Sequence, residues 1–419
     1  MGLENIFTGI SLTRFLEEID RLGFIWIVKR LSGNDTGLTG GHQAGAYLPR
    51  AYFEIAFPEI CTSETYNPRS LITCYIPNAD ITIPDLRAIY YNSKFFPEKG
   101  LKKKYDEFRI TGWGGCSSPI QDVENTGSLW VFAVLRKPQI CLAASWVASS
   151  VDEENTIEDW LGEEVEPTRF VMARPPLRPR PEDPSNLPKD WLCAFPSGQE
   201  IFEYVANHIP YSKEGLSIDE LLLKRRNIEY EVFQLLERQA LLPRIQKGFE
   251  SVDEFIKFAH SASNRRKSRA GSSLELNLER IFRDEKIAFE RNAVTENYKR
   301  PDFLFPSGQA YHDPRFPAVR LHMLASKTCC KDRWRQVLNE ANRIQRKHLF
   351  TLQEGVSPNQ LQEMQDNNVE LVIPAPFRKS FPRNWRESLM TLEDFVRFMR
   401  SQQSIDASNW NGPVDTRTS

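Results

Sequence analysis

The stretch Arg174 to Pro188, RPPLRPRPEDPSNLP, constrains the fold of this chain more than any other. Proline locks φ and has no backbone N–H, so prolines this close together deny both helix and ladder hydrogen bonds and favour an extended, semi-rigid connector. What lies on either side is expected to fold separately. A chain of 419 residues is long enough for that, since it can supply two cores of about 170 to 230 residues each. Residues 1–173 therefore read as a first domain, 174–188 as a linker, 189–400 as a second domain and 401–419 as a disordered tail.

The two sides differ in texture. Before the linker the apolar residues come in short β-rich runs, FIWIVKRL, SLITCYIP, LRAIYYNS, SLWVFAVLR and ICLAASWVAS, punctuated by Gly, Asn, Asp and Pro. Such runs predict a mainly β domain, barrel or sandwich. After it, Ser217 to Glu220 and Ser251 to Glu254 read as capping boxes that open amphipathic helices. Strands are predicted at Pro301 to Phe305, Val319 to Ser326, His348 to Leu352 and Val369 to Ile373, with helices near Asp332 to Lys347 and Pro358 to Asp366. That alternation implies a mixed α/β sheet flanked by helices.

Composition narrows the function classes. At 40% hydrophobic and 26% charged, the chain has the profile of a soluble globular protein. No apolar run approaches the ~20 residues needed to span a bilayer, and the opening MGLENIFTGISLTRFLEEID is too acidic for a secretory signal, so a cytoplasmic, non-membrane protein is expected. Cys61, Cys74, Cys116, Cys141, Cys193, Cys329 and Cys330 show no CxxC or zinc spacing and read as reduced, structural thiols. The net charge of −2 rules out a globally basic nucleic-acid binder. Any DNA contact has to come from local clusters: Lys99 to Lys104, Arg265 to Arg269 and Lys331 to Arg335. Each of these also fits a plain solvated face.

One constellation carries chemistry. Pro301-Asp302 opens the apolar strand Phe303-Leu304-Phe305, and Leu321 to Lys327 reads as a second strand ending in lysine. A carboxylate and a lysine on neighbouring strands form the skeleton of the PD…(D/E)xK nuclease site. There, carboxylates hold a divalent cation that polarises a phosphodiester, and the lysine steers the attacking water. The acidic residue expected two places before the lysine is missing, for Ala325 stands there. Glu340 is the candidate substitute, bordering a predicted helical stripe of Trp334, Val337, Leu338, Ala341 and Ile344. Glu275 is a further candidate. The plain alternatives are a surface glutamate at 340 and a capping box of Ser272 with Glu275.

The runs SNRRKSRAGSSLEL, RPDFLFPSGQAYHD, LASKTCCKDRWRQVLNEA and LFTLQEGVS closely resemble the catalytic domain of the EcoRII restriction endonuclease family, including the glutamate thirteen positions after the lysine. KRLSGNDTGLTGGHQAGAYLP, RAIYYNS and PIQDVENTG are similar to the effector domain of that family. The resemblance implies a C-terminal restriction-endonuclease-like α/β fold and an N-terminal pseudobarrel like plant B3 DNA-binding domains. It implies that Asp302, Lys327 and Glu340 are catalytic, with Glu275 a further acidic group, and that Asp302 and Glu340 hold Mg²⁺. It assigns Lys331, Asp332 and Arg333 to reading the outer G·C pairs, as suits their donors and acceptor, and Arg226 and Tyr230 to a pocket for an extruded base. In the effector domain it implies DNA contacts by His42, Tyr47, Lys103, Glu107 and Arg109. Tyr105 and Phe108 depart from basic residues of the family, which implies altered effector binding.

Further implications are a target of 5′-CCWGG cut before the first C, a second target copy bound as effector, autoinhibition by the N-terminal domain, and a companion cytosine methyltransferase. A homodimer is expected because a palindromic-type target is read most simply by a two-fold. Two other functions fit the residues alone: a DNA-binding regulator with an inactive nuclease fold, and a structure-specific repair nuclease. The Lys331-Asp332-Arg333 triplet favours a sequence reader over the latter.

Overall fold

The computed structural model describes residues 3–40, 45–99, 104–137, 140–173, 187–192, 194–208 and 216–404. His42, Lys103, Cys193, most of the expected linker and the tail beyond residue 404 lie outside the described residues.

After helices α1 (Glu4–Phe7) and α2 (Leu12–Arg21), the N-terminal half builds one eight-stranded sheet. Its strands are β1 (Ile25–Arg30), β2 (Ala46–Leu48), β3 (Arg69–Ile76), β4 (Ile81–Tyr91), β5 (Glu107–Thr111), β6 (Leu129–Lys137), β7 (Ile140–Val147) and β8 (Phe170–Met172). Helix α3 (Arg50–Ala56) follows β2, and α4 (Val151–Leu161) follows β7. The order is β2-β5-β4-β3-β7-β6-β1-β8, and β3–β7 is a parallel pair among antiparallel neighbours. The reason LWVFAVL is unbroken by polar residues is visible in β6. Trp130, Phe132 and Val134 point into a core with Tyr52, Phe53 and Phe57, while Leu129, Val131 and Ala133 point into another with Phe7, Phe15 and Ile19. A strand covered on both faces needs apolar residues at both parities. The mainly β expectation is borne out.

In the C-terminal half, α5 (Gly198–His208), α6 (Ile218–Lys247) and α7 (Val252–Asp284) precede a six-stranded sheet. Its strands are β9 (Glu290–Arg291), β10 (Phe303–Phe305), β11 (His322–Lys327), β12 (Lys347–Thr351), β13 (Val369–Ile373) and β14 (Met390–Thr391), in the order β14-β13-β12-β11-β10-β9. Strands β9 to β11 are antiparallel and β11 to β14 parallel, a mixed sheet as expected. Three helices, α8 (Gly308–His312), α9 (Pro358–Asp366) and α10 (Leu392–Ser404), complete it. One face packs on Leu274, Leu278, Ile281 and Phe282 of α7 and Phe395 of α10, and the other on Trp334, Val337 and Ile344. Burying each such side chain is worth roughly 1.5–3 kcal/mol.

Several local expectations need correction. Ser217 and Glu220 do form a complete capping box, but at α7 only the Ser251 side chain caps, while the Glu254 carboxylate accepts from Glu250 N at 2.8 Å. Ser272 and Glu275 form no capping box, because α7 runs straight through them from its start at Val252. The helix expected near Asp332 to Lys347 is instead a 3₁₀ helix, Lys331–Asn339, that stops before Glu340. Ala341 then takes φ +47°, and carbonyls that a longer helix would have satisfied internally are met from outside by Lys347. Residues 401–404 belong to α10 and are not tail. Cys61, Cys74, Cys141, Cys329 and Cys330 are free thiols, as read from their spacing.

Candidate active site

Asp302 precedes β10, and its Oδ2 accepts from Ser326 N at 2.7 Å and Ser326 Oγ at 3.0 Å. This cross-strand grip fixes the carboxylate beside the end of β11, one residue before Lys327. Side chains alternate along a strand, so Lys327 shares a face with Ala325 and Met323, which lie in the same core as Trp334 and Val337. Glu340 approaches from the segment packed on that face. A small Ala325 on the strand therefore leaves the acidic position to a residue delivered from the adjoining layer. Glu275 reaches in from α7, paired with Arg291 at 2.5 Å.

The electrostatics favour a cation. Burial, then the charge of Asp302, push the Glu340 carboxyl up to about 7, against the opposing influence of Lys327 and Lys347. Burial and Asp302 likewise raise Glu275. Glu340 Oε2 is buried and has no hydrogen-bond partner among the described residues, an expensive arrangement unless an outside group completes it. Among the described residues no trio of His, Cys, Asp or Glu is close enough to enclose an ion unaided. A hard divalent cation can keep several waters and be held by one or two carboxylates with phosphate oxygens. The residues present fit such an ion.

The 3₁₀ helix starting at Lys331 carries the expected base-reading triplet. No side chain of its own segment caps it. Gln353, from the loop after β12, supplies the acceptor: its Oε1 takes Lys331 N at 2.9 Å and Cys330 N at 3.1 Å. Lys331 Nζ donates to Ser128 Oγ of the N-terminal half, and Arg333 is near enough to Glu158 to act on its charge. The Asp332 side chain lies outside the described residues.

Arg226 and Tyr230 sit one turn apart on α6, both buried, as their spacing implied. Glu229 between them is tied to α7 by Ser273 Oγ at 2.7 Å and Asn277 Nδ2 at 2.6 Å. The N-terminal half fills the space in front of the pair. Glu166 is ion-paired to Arg226 and to Arg269, the latter at 2.5 Å. The guanidinium of Arg169 lies 3.6 Å from the centre of the Tyr230 ring. Burial would push the Glu166 carboxyl up, but Arg226, Arg269 and Arg169 outweigh it and hold it well below the usual carboxylate range.

Further along the same contact, Glu163 meets Arg266 at 3.3 Å, Glu164 accepts from Thr328 Oγ1 at 2.5 Å, and Asp159 pairs with Lys267. The Arg265 to Arg269 cluster is thus an interface. Gly127 belongs to the contact too: at φ +90° a side chain there would be strained, and its Cβ would meet the Gln353 side chain.

In the N-terminal half, strand pairing sets Tyr47 opposite Arg109, and Arg109 bonds to Glu107 Oε1 at 3.1 Å and Gly45 O at 2.9 Å. Tyr47, Glu107 and Arg109 are therefore neighbours. Phe108 is a core residue, stacked on Tyr90 with ring centres 4.2 Å apart. Its departure from a basic residue is a matter of packing first. Tyr105 is half-buried. Among the described residues, no helix is long and apolar enough to cross a membrane.

Sequence reasoning missed Ser326, Arg291, Lys347, Gln353 and the acidic segment from Asp159 to Glu166. Of these only the last left a signal, in the run Glu163-Glu164-Val165-Glu166 facing a basic cluster of opposite sign.

Comparison with known proteins gives the family. Residues 21–176 match the family described as restriction endonuclease EcoRII, N-terminal, and residues 233–396 match EcoRII C terminal. The type II restriction enzyme EcoRII of Escherichia coli is 45% identical over 393 residues, covering 91% of this chain and 95% of that protein. Two solved structures of metal-depleted Ecl18kI with uncleaved DNA, one of them with modified DNA, are 17% and 19% identical. They cover 54% of this chain and 85% and 83% of theirs, with TM-scores of 0.42 and 0.41. With both halves matched and nearly the whole length of the relative spanned, the chain belongs to the EcoRII family of type II restriction endonucleases, site-specific deoxyribonucleases.

Proposed function

We propose that this enzyme is Mg²⁺-dependent, cuts duplex DNA at 5′-CCWGG before the first C, and binds a second copy of that target as effector. Residues 1–173 form the effector domain, with a B3-like pseudobarrel built on the eight-stranded sheet, 174–188 the linker and 189–400 the nuclease domain. The observation that carries the catalytic assignment is the buried, unpartnered Glu340 oxygen in electrostatic contact with Asp302 and Lys327.

Asp302 and Glu340 would hold the ion, which when bound would polarise the scissile phosphate and lower the pKa of water. Ser326 keeps Asp302 in place, and Lys327 orients the attacking water in line with the leaving oxygen. Glu275, paired with Arg291, completes the acidic lining. Lys331, Asp332 and Arg333 read base edges in the major groove. Arg226 and Tyr230 receive an extruded central base, which an aromatic face and a guanidinium can stack and hold. Effector DNA engages Tyr47, Glu107 and Arg109, with His42 and Lys103.

The arrangement with Glu166 paired to Arg226 is the inhibited one. Arg169 stacks where the extruded base would lie, and Glu166 occupies Arg226. Effector binding to the N-terminal domain shifts the balance toward a form in which these contacts are broken. The working unit is a cytoplasmic homodimer, and a companion cytosine methyltransferase protects host DNA.

Digestion with Mg²⁺ of plasmids carrying several, one or no CCWGG sites tests this reading. Discrete cuts confined to the multi-site plasmid are expected, with a single-site plasmid resistant until a CCWGG duplex is added. Equal cutting of all three would defeat the specificity, and binding without cutting would favour an inactive regulator.

A further inference from the structure

A carboxylate moved off its strand needs something else to fix its position. Glu340 follows the last residue of a 3₁₀ helix, in extended backbone, and precedes Ala341 at φ +47°. A non-glycine residue in the left-handed region is uncommon and persists only where its surroundings hold it. The strongest hold visible is Lys347, the first residue of β12. Its side chain runs back under the turn, nearly buried at 6% exposure. Its ammonium donates to Glu340 O, to Ala341 O at 3.2 Å and to Ile344 O at 3.0 Å. Three N–H donors meet three carbonyls around one reversal of the chain, with a positive charge at the end of a helix where carbonyls collect. Glu340's own N–H goes to Val337 O at 3.1 Å. Lys347 itself is fixed by the sheet, its N–H bonded to Asn368 O at 3.0 Å.

We propose that Lys347 is a positioning residue for the nuclease centre: by clamping the carbonyls of Glu340, Ala341 and Ile344 to the sheet, it sets where the Glu340 carboxylate stands beside Asp302 and Lys327. The inference rests on the reading of Glu340 as an ion-holding group. It accounts for how a site with Ala325 at the usual acidic position retains a second carboxylate. A loop carries the carboxylate that β11 lacks, and the neighbouring strand β12 supplies the loop's anchor.

Binding of Mn²⁺ alone to the full-length protein, followed by loss of the free-ion electron paramagnetic resonance signal, reads the site without turnover. Lys347→Met removes all three donors and keeps the aliphatic length. It is expected to weaken Mn²⁺ about ten-fold or more, the size of effect seen when groups that orient metal ligands are lost, and to raise the Mg²⁺ concentration needed for cleavage in step. DNA binding without metal should stay within about three-fold, a change under 1 kcal/mol. Lys347→Gln, which has two donors and a shorter reach, is expected to fall between. If Lys347→Met does not fold, Lys347→Gln decides, and wild-type Mn²⁺ affinity in it overturns the proposal.

Glu340→Gln, measured alongside, separates the two ideas. If it binds Mn²⁺ as wild type does, or if the wild type binds none, the ion-holding role of Glu340 fails and the proposal with it. If Glu340→Gln is weakened while Lys347→Met is not, only the positioning role fails.

Discussion

Glu166 and Arg226 form an ion pair whose side chains are 2% and 4% exposed, although they come from opposite halves of the chain. Glu166 also serves Arg269, with Arg169 close by, so one carboxylate neutralises a cluster of guanidinium groups. Removing one partner of a buried pair costs about 3–5 kcal/mol because the other charges stay buried and uncompensated. If the N-terminal half restrains the enzyme as proposed, that cost falls on the closed arrangement. Glu166→Ala is therefore expected to raise cleavage of a single-site plasmid about ten-fold or more without added effector duplex, an effect well within that energy. Unchanged single-site cleavage would mean that the pair does not restrain the enzyme.

Lys327 ends β11 on the face that Glu340 approaches, and among the described residues no hydrogen bond claims its ammonium in the way three carbonyls claim that of Lys347. Lys327→Ala should abolish cutting, by roughly a thousand-fold or more if transition-state charge and the water's orientation both depend on it. Binding of a target duplex by gel shift should change little. Loss of binding together with cutting would make Lys327 a structural residue.

How far the site was legible from residues alone depends on what holds each group. Asp302 and Lys327 could be read because one directly precedes and the other ends a strand with a clear apolar run, Phe303 to Phe305 and Met323 to Ala325. Glu340 was legible as a residue and misread as backbone: its apolar neighbours Trp334, Val337, Ala341 and Ile344 are all buried as a helical stripe would have them. They reach the core from a 3₁₀ turn and a reversed loop that no periodicity encodes. Ser326, Arg291, Gln353 and Lys347 act through partners 24, 16, 22 and 7 positions away, fixed only by tertiary packing. The long strands β3, β4, β6 and β7 stood out as β-rich runs. Strands β2, β8, β9 and β14, with two or three residues each, exist because a neighbour offers a ladder and have no pattern of their own.

Arg333 offers a test of base reading against simple charge. A guanidinium bidentate to guanine O6 and N7 is worth about 1–3 kcal/mol of discrimination, whereas a phosphate contact weakens all sequences alike. Arg333→Ala is expected to lower affinity for CCWGG duplex by about ten- to a hundred-fold and affinity for unrelated duplex only a few-fold. Parallel losses on the two duplexes, measured at one salt concentration, would reduce Arg333 to a backbone contact.

His348 gives the fold an acid sensitivity separate from catalysis. The ring is buried between β11 and α10, with Phe395 at 5.1 Å, Phe398 at 5.7 Å and His322 at 6.2 Å between ring centres. The charged groups facing it are Glu370 at 3.7 Å and Arg346. Burial, with His322 and Arg346 adding repulsion, lowers its pKa from the ordinary 6.5 to about 3. The folded value lies below the unfolded one, so well above pH 6.5 the ring is neutral in both states and its titration contributes no slope. As pH falls from 6.5 toward 3, the unfolded chain takes up a proton that the folded chain refuses. Stability then drops by up to about 1.4 kcal/mol per pH unit. His348→Phe removes that proton uptake from the unfolded state. Its melting temperature should fall less steeply than wild type's between pH 6.5 and 5, where most carboxylates remain ionised. Curves of equal slope would show that His348 does not govern the acid response.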